Sequence, residues 1–139
     1  MSRIVVDASV AIKWLIPEIH KEKASSLLNN AFELTAPDLL FAEIGNVLWK
    51  KVQRAELSND EGRDLLADFT KIPLRLYRSQ FLLDEAWTIS AHFKRSFYDS
   101  LYLALARTHE CRMVTADLKL YNALKHGPLK KMVLWVEDI

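Results

Sequence analysis

The chain has 139 residues, half of them hydrophobic, and 19 Lys and Arg against 18 Asp and Glu give a net charge of +1. That size fits a single domain, residues 1–139, with enough apolar material to bury a core without disulfides or a structural metal. The composition excludes a strongly basic nucleic-acid coat. No apolar run approaches the ~20 residues of a membrane span, and the start Met1-Ser-Arg-Ile-Val-Val-Asp7 is too short and too soon charged for a signal peptide.

In chain order, Ile4-Val5-Val6 predicts a first strand, and Asp7-Ala-Ser9 a strand-to-helix turn. A helix over Val10 to Ile16 should stop at Pro17. Apolar spacing at Ala24, Leu27, Leu28 and Ala31 predicts an amphipathic helix over Ile19 to Ala31. Glu33 to Ala36 is the second strand, followed by a long helix, Leu39 to Ala55, with Asp38 as its expected cap. Ser58-Asn-Asp-Glu61 is a capping box for the next helix, which Pro73 ends before a third strand, Leu74 to Tyr77. Phe81 to Phe93 is amphipathic. Ser96 to Ala106 is apolar on nearly every face, the mark of a buried helix. Arg112 to Thr115 is the fourth strand, Asp117 to Leu124 a short helix and Val133 to Val136 the fifth strand. Cys111, the one cysteine, lacks any metal or redox spacing, so a passive thiol in a reducing cytoplasm is expected. Strands alternating with helices predict a three-layer α/β domain on a mostly parallel five-stranded sheet.

Four acids fall at telling places on that plan. In open parallel sheets, ligands bind beyond the carboxyl ends of the strands. Asp7 follows the first strand and Asp117 the fourth, so both belong to that rim. Asp99 opens the buried helix, and Glu43 lies on the helix after the second strand. Each also has a plain structural explanation. Asp7 and Asp117 can be N-caps, worth ~1 kcal/mol each; Ser96-x-x-Asp99 is a variant capping box; Glu43 can share a solvated face with Asn46 and Lys50. Yet Glu43 and Asp99 are flanked by apolar residues, where a lone carboxylate is costly unless paired or bound to a cation. No Lys or Arg obviously pairs with them, so the expected partner is a metal. Oxygen-only ligands suit Mg²⁺ or Mn²⁺ rather than zinc, and His20, His92, His109 and His126 are too scattered to compete. The chemistry this implies is metal-assisted hydrolysis of a phosphodiester, the cation reversing the field of an acidic pocket.

Over essentially its whole length the sequence resembles PIN-domain (PilT N-terminus) proteins, specifically the toxin ribonucleases of VapBC-type toxin–antitoxin pairs. The resemblance rests on four segments in order: Val5-Val-Asp7-Ala-Ser9, Glu43-Ile-Gly-Asn46, Phe97-Tyr-Asp99-Ser-Leu-Tyr-Leu-Ala-Leu-Ala106 and Val114-Thr115-Ala-Asp117. Ser100 stands where many relatives carry Ala. The resemblance implies a Rossmann-like sheet and a catalytic, Mg²⁺- or Mn²⁺-binding cluster of Asp7, Glu43, Asp99 and Asp117. Ser9 and Thr115 would support that cluster through their hydroxyls, and Asn46 would orient Glu43. It also implies an RNA substrate, a homodimer, and an antitoxin lying across the active-site groove. Lys13, Lys94 and Arg95 are the first choices for holding RNA phosphates, ahead of Lys50, Lys51, Arg54 and Lys119. Trp14, Trp49, Trp87 and Trp135 read as core or dimer interface rather than base-stacking platforms.

Other classes fit less well. An aspartyl-phosphate phosphatase wants a second Asp two residues after the first, where this chain has Ser9. A phosphoacceptor domain wants paired acids at the end of its first strand and a lysine after its fifth. The remaining alternative is a catalytically silent PIN-like module that binds RNA or a partner without cutting.

Overall fold

Short β-branched runs alternate along this chain with amphipathic stretches, and each folds by its own period. The computed structural model describes residues 2–29 and 31–139; Met1, and Asn30 within the helix expected over 19–31, lie outside these. Five strands form: β1 Ser2–Val6, β2 Phe32–Pro37, β3 Arg75–Tyr77, β4 Arg112–Thr115 and β5 Val133–Trp135. All pairings are parallel, in the order β3-β2-β1-β4-β5. Parallel neighbours need crossover segments. These are α1 Ala8–Ala11, α2 Lys21–Ser26, α3 Leu39–Gln53, α4 Asn59–Phe69, α5 Leu83–Phe93, α6 Phe97–Thr108 and α7 Leu118–Leu124. Helices cover both faces of the sheet, as the α/β pattern predicted. Strand order reverses between β1 and β4, so the ligand-binding crevice of such a sheet lies at their carboxyl ends.

The helix that fixes this arrangement is α6. Residues Leu101 to Ala106 are at most 4% exposed, and α6 packs on β1, β2 and β4 while α5 lies along it. Burying Leu101, Leu103 and Leu105 contributes about 2 kcal/mol each. Ser100, fully buried, accepts a hydrogen bond from Ser90 Oγ of α5 (2.8 Å), which ties the two helices together. The capping box at Ser58 forms in full, with Glu61 accepting from the Ser58 N–H (2.8 Å) and Ser58 Oγ from the Glu61 N–H (3.0 Å). Gly62 lets α4 lie against α3: a Cβ there would stand 2.8 Å from Val52 Cγ2.

Three local expectations differ from what forms. The helix expected over 19–31 shrinks to α2. His20, in the left-handed region (φ 70°), sets its start. After Ser26 the chain tightens into i→i+3 turns, Leu27 N donating to the Ala24 carbonyl (3.3 Å) and Leu28 N to the Ser25 carbonyl (3.0 Å). Trp14 docks that short helix instead, its indole N–H donating to the Ala24 carbonyl (2.8 Å). Within the helix expected over 10–16, α1 gives way to a 3₁₀ turn at Ile12–Trp14. Asp38 does not cap α3; its Oδ1 accepts from the backbone N–H (3.1 Å) and hydroxyl (2.5 Å) of Ser79, tying the start of α3 to the segment after β3.

Candidate active site

Where β1 turns into α1, the unpaired N–H groups of the helix start need an acceptor. Asp7 supplies it, Oδ1 accepting from Val10 N (3.2 Å), and only 7% of the residue is exposed. Two hydroxyls close around the same carboxylate: Ser9 Oγ donates to Oδ1 (2.6 Å) and Thr115 Oγ1 to Oδ2 (2.6 Å). Each hydroxyl carries one hydrogen, and both are committed to Asp7, so the 3.3 Å approach of Ser9 to Thr115 involves neither. The hydroxyls accept in turn, Ser9 from Ala116 N (2.9 Å) and Thr115 from Asp117 N (3.1 Å). This network links the ends of β1 and β4 and sets three donors on Asp7, which favours its ionised form. Burial opposes that charge and raises the carboxyl to about 6, with Asp99 adding to the rise while the bonds from Ser9, Thr115 and Val10 hold it down.

Asp99 is the acid the others share. It sits in the first turn of α6, where Ser96 Oγ accepts its N–H (3.1 Å). Burial raises its carboxyl most; Asp117 adds to this, while Ser96 and the Arg95 guanidinium oppose it. The charge of Asp99 in turn raises both Asp7 and Glu43. Glu43, half-buried on α3, is raised first by burial, and a hydrogen bond from the Tyr102 hydroxyl to its Oε1 holds it down. Asp117 is exposed and caps α7, its Oδ1 accepting from Leu120 N (3.1 Å). Asp7 and Asp117 are therefore N-caps, and Asp99 couples by charge to Asp7, Glu43 and Asp117.

Among the described residues, no Lys, Arg or His forms an ion pair with any of the four. Nor, among the described residues, do three acidic, cysteine or histidine side chains converge closely enough to hold an ion unaided. An open set of oxygen donors suits Mg²⁺, which keeps several waters and takes only one or two carboxylates. Asp7 has three of its roughly four lone-pair positions filled, which leaves one open.

The supporting residues divide. Ser9 and Thr115 hold Asp7 directly. Asn46 is exposed, and the donor on Glu43 is Tyr102, so Asn46 does not orient Glu43 by a hydrogen bond here. Tyr102 lies three residues beyond Asp99, the spacing that puts two side chains on one helix face, but nothing local links it to Glu43, fifty-nine residues away. Lys13 is not a free cation: it is 7% exposed, with Nζ 3.3 Å from Glu18, which Lys51 also approaches (3.7 Å). Lys94, exposed and left-handed (φ 57°), and Arg95 make the link between α5 and α6 beside Asp99. Trp14 is core, while Trp49 (53%) and Trp87 (69%) are exposed.

An all-parallel sheet with acids gathered beyond β1 and β4 is the plan of a PIN domain, and the profile of the PIN domain family matches residues 4–125. Ribonuclease VapC3 of Pyrobaculum aerophilum is 30% identical over 85% of this chain and 92% of its own length. VapC ribonuclease Mb0985 of Mycobacterium bovis is 35% identical over 84% of this chain and 87% of its own. The crystal structure of PAE2754 from Pyrobaculum aerophilum shares the fold at a TM-score of 0.73 and 22% identity, covering 98% of this chain and 92% of that one. The sarcin-ricin-loop-cleaving toxin VapC20 of Mycobacterium tuberculosis does so at 0.61 and 17%, covering 81% and 87%. VapBC2 from Rickettsia felis, solved on a promoter DNA fragment, does so at 0.63 and 13%, covering 96% and 98%. The chain belongs to the PIN-domain family, among its VapC ribonucleases.

Proposed function

We propose that this chain is the endoribonuclease toxin of a toxin–antitoxin pair, hydrolysing RNA phosphodiester bonds with Mg²⁺ or Mn²⁺ held by Asp7, Glu43, Asp99 and Asp117. The observation that supports the reading is that Asp99 couples by charge to Asp7, Glu43 and Asp117, none of which has an ion-pair partner among the described residues, in a chain whose relatives are VapC ribonucleases. A bound divalent cation supplies neutralising charge for the phosphodiester and a lowered pKa for water at the site. The chain's own residues supply geometry: Ser9, Thr115 and the Val10 N–H fix Asp7, Ser96 fixes the start of α6 and with it Asp99, and the α7 cap fixes Asp117. Lys94 and Arg95 stand where an RNA phosphate entering beside Asp99 would meet positive charge.

The VapBC2 neighbour supports a cognate antitoxin as a partner, and we propose that it lies over the acidic groove. A homodimer is supported by the exposed apolar residues Phe81 (75%), Leu83 (47%) and Trp87 (69%) on and just before α5. No helix among the described residues is long and apolar enough to cross a membrane, and a free Cys111 fits a cytoplasmic setting.

The test is cleavage of a mixed RNA pool by purified protein with and without Mg²⁺ or Mn²⁺, beside Asp7→Asn. Cleavage that stops on chelation and in the variant is expected. A variant cutting at the parental rate overturns the site, and metal binding without turnover favours the silent binding module.

A further inference from the structure

Glu43 is the acid least well held by its own element. It projects from the first turns of α3 on a long, rotatable side chain, whereas Asp7 and Asp117 are locked by the caps of the helices they start. Among the described residues its one hydrogen-bond donor is the Tyr102 hydroxyl, which reaches Oε1 and leaves Oε2 without a protein donor. Tyr102 is 3% exposed, clamped within the apolar run of α6, so the ring cannot swing away. A buried phenol needs an acceptor, and Glu43 is the one it has. Burial first, and then the charges of Glu43, Asp7 and Asp99, push the Tyr102 hydroxyl far above its ordinary range, so it stays a neutral donor.

We infer that Tyr102 is a positioning residue of the acidic site: its hydroxyl fixes one oxygen of Glu43 so that the other faces the position a divalent cation would take. This inference rests on the proposed metal-dependent reading of the rim. It means that one helix does two jobs, presenting Asp99 from its first turn and aiming Glu43 from its second. Since Tyr102 is buried behind the acids, it does not contact RNA.

The experiment is a double-mutant cycle of Tyr102→Phe and Glu43→Gln, read as Mn²⁺ affinity by calorimetry and as kcat and KM for RNA cleavage. Outer residues that orient metal ligands are worth 10–100-fold when removed. Tyr102→Phe alone should therefore weaken Mn²⁺ binding by about tenfold and lower kcat with KM unchanged. In the Glu43→Gln background the same change should cost less than about twofold, because the two act through one path. Full additivity, or a Tyr102→Phe protein that matches its parent, overturns the inference. A parent that binds no Mn²⁺ overturns the underlying reading and this one with it. Should Tyr102→Phe not fold, the Tyr102 ¹³Cζ resonance of the intact protein answers the question. It should move on Mg²⁺ titration and stay still in Glu43→Gln; a resonance that ignores bound Mg²⁺ in the parent overturns the inference.

Discussion

At the amino end of the sheet Glu33 lies between Arg3 (3.5 Å) and Arg75 (3.3 Å), and Arg3 donates to His109 Nδ1 (2.6 Å). Burial and the Arg3 charge hold His109 below its usual range, as befits an acceptor. At the carboxyl end Asp7, Glu43 and Asp99 are surrounded by hydroxyls, a phenol and one another, and all three are raised. The first cluster neutralises its one carboxylate with two guanidiniums, one of which also donates to His109. The second answers the negative charge of Asp7 and Glu43 with neutral donors, which orient those carboxylates without neutralising them, while Arg95 only partly offsets the charge of Asp99. On the proposed reading, the negative charge that this pocket keeps after folding is what receives a cation.

That contrast can be broken experimentally, most severely by Asp99→Asn. Loss of the shared acid should reduce RNA cleavage by at least about a hundredfold. The melting temperature should hold or rise, since the substitution removes a charge that burial and Asp117 disfavour. A fall in both would make Asp99 a structural residue.

The pH dependence of the metal-free protein is next in size. Asp7 binds its proton more tightly when folded (about 6) than unfolded (3.8). Its unfavourable ionisation is absent below about pH 4, grows as pH rises through 6, and then levels off. Denaturant titrations should show a loss of about 3 kcal/mol across that window, and Mg²⁺ should reverse part of the loss at pH 7 by binding the ionised form. Thr115→Val should cost about 1–3 kcal/mol by stripping Asp7 of a donor and the Asp117 N–H of its acceptor. Cleavage should fall about tenfold. At the opposite end, Glu33→Ala should cost under about 1 kcal/mol by thermal melting and leave cleavage unchanged.

The sequence revealed the strands and the acids more readily than the contacts between them. Asp7, Asp99 and Asp117 stand out because each sits at an element boundary, where a cap and a site are both written in the same residue. Glu43 stands out because apolar residues flank it. Strand order was less legible: the run from Ile4 to Val6 looks like any buried strand, and nothing in it says that β4 and β2 flank it. Lys13 read as a free cation because Glu18 is five residues away across Pro17, and only the turn brings them together. The family resemblance makes Asn46, one turn on within α3, the expected partner of Glu43. The actual donor comes from α6, fifty-nine residues on, and local periodicity carries no information about such a contact. Tyr102 was hidden for a second reason. In a run as apolar as Leu101 to Ala106 a tyrosine looks like one more core residue, and its hydroxyl gains meaning only when the neighbouring helix is in place.

The claim that neutral donors hold these acids ready for a cation is tested most directly by calorimetric titration of Mn²⁺ into the parent and Asp99→Asn proteins at pH 7. The account predicts saturable binding to the parent and an affinity at least about tenfold weaker in the variant. Equal affinities in the two proteins, or no binding to the parent, would contradict it.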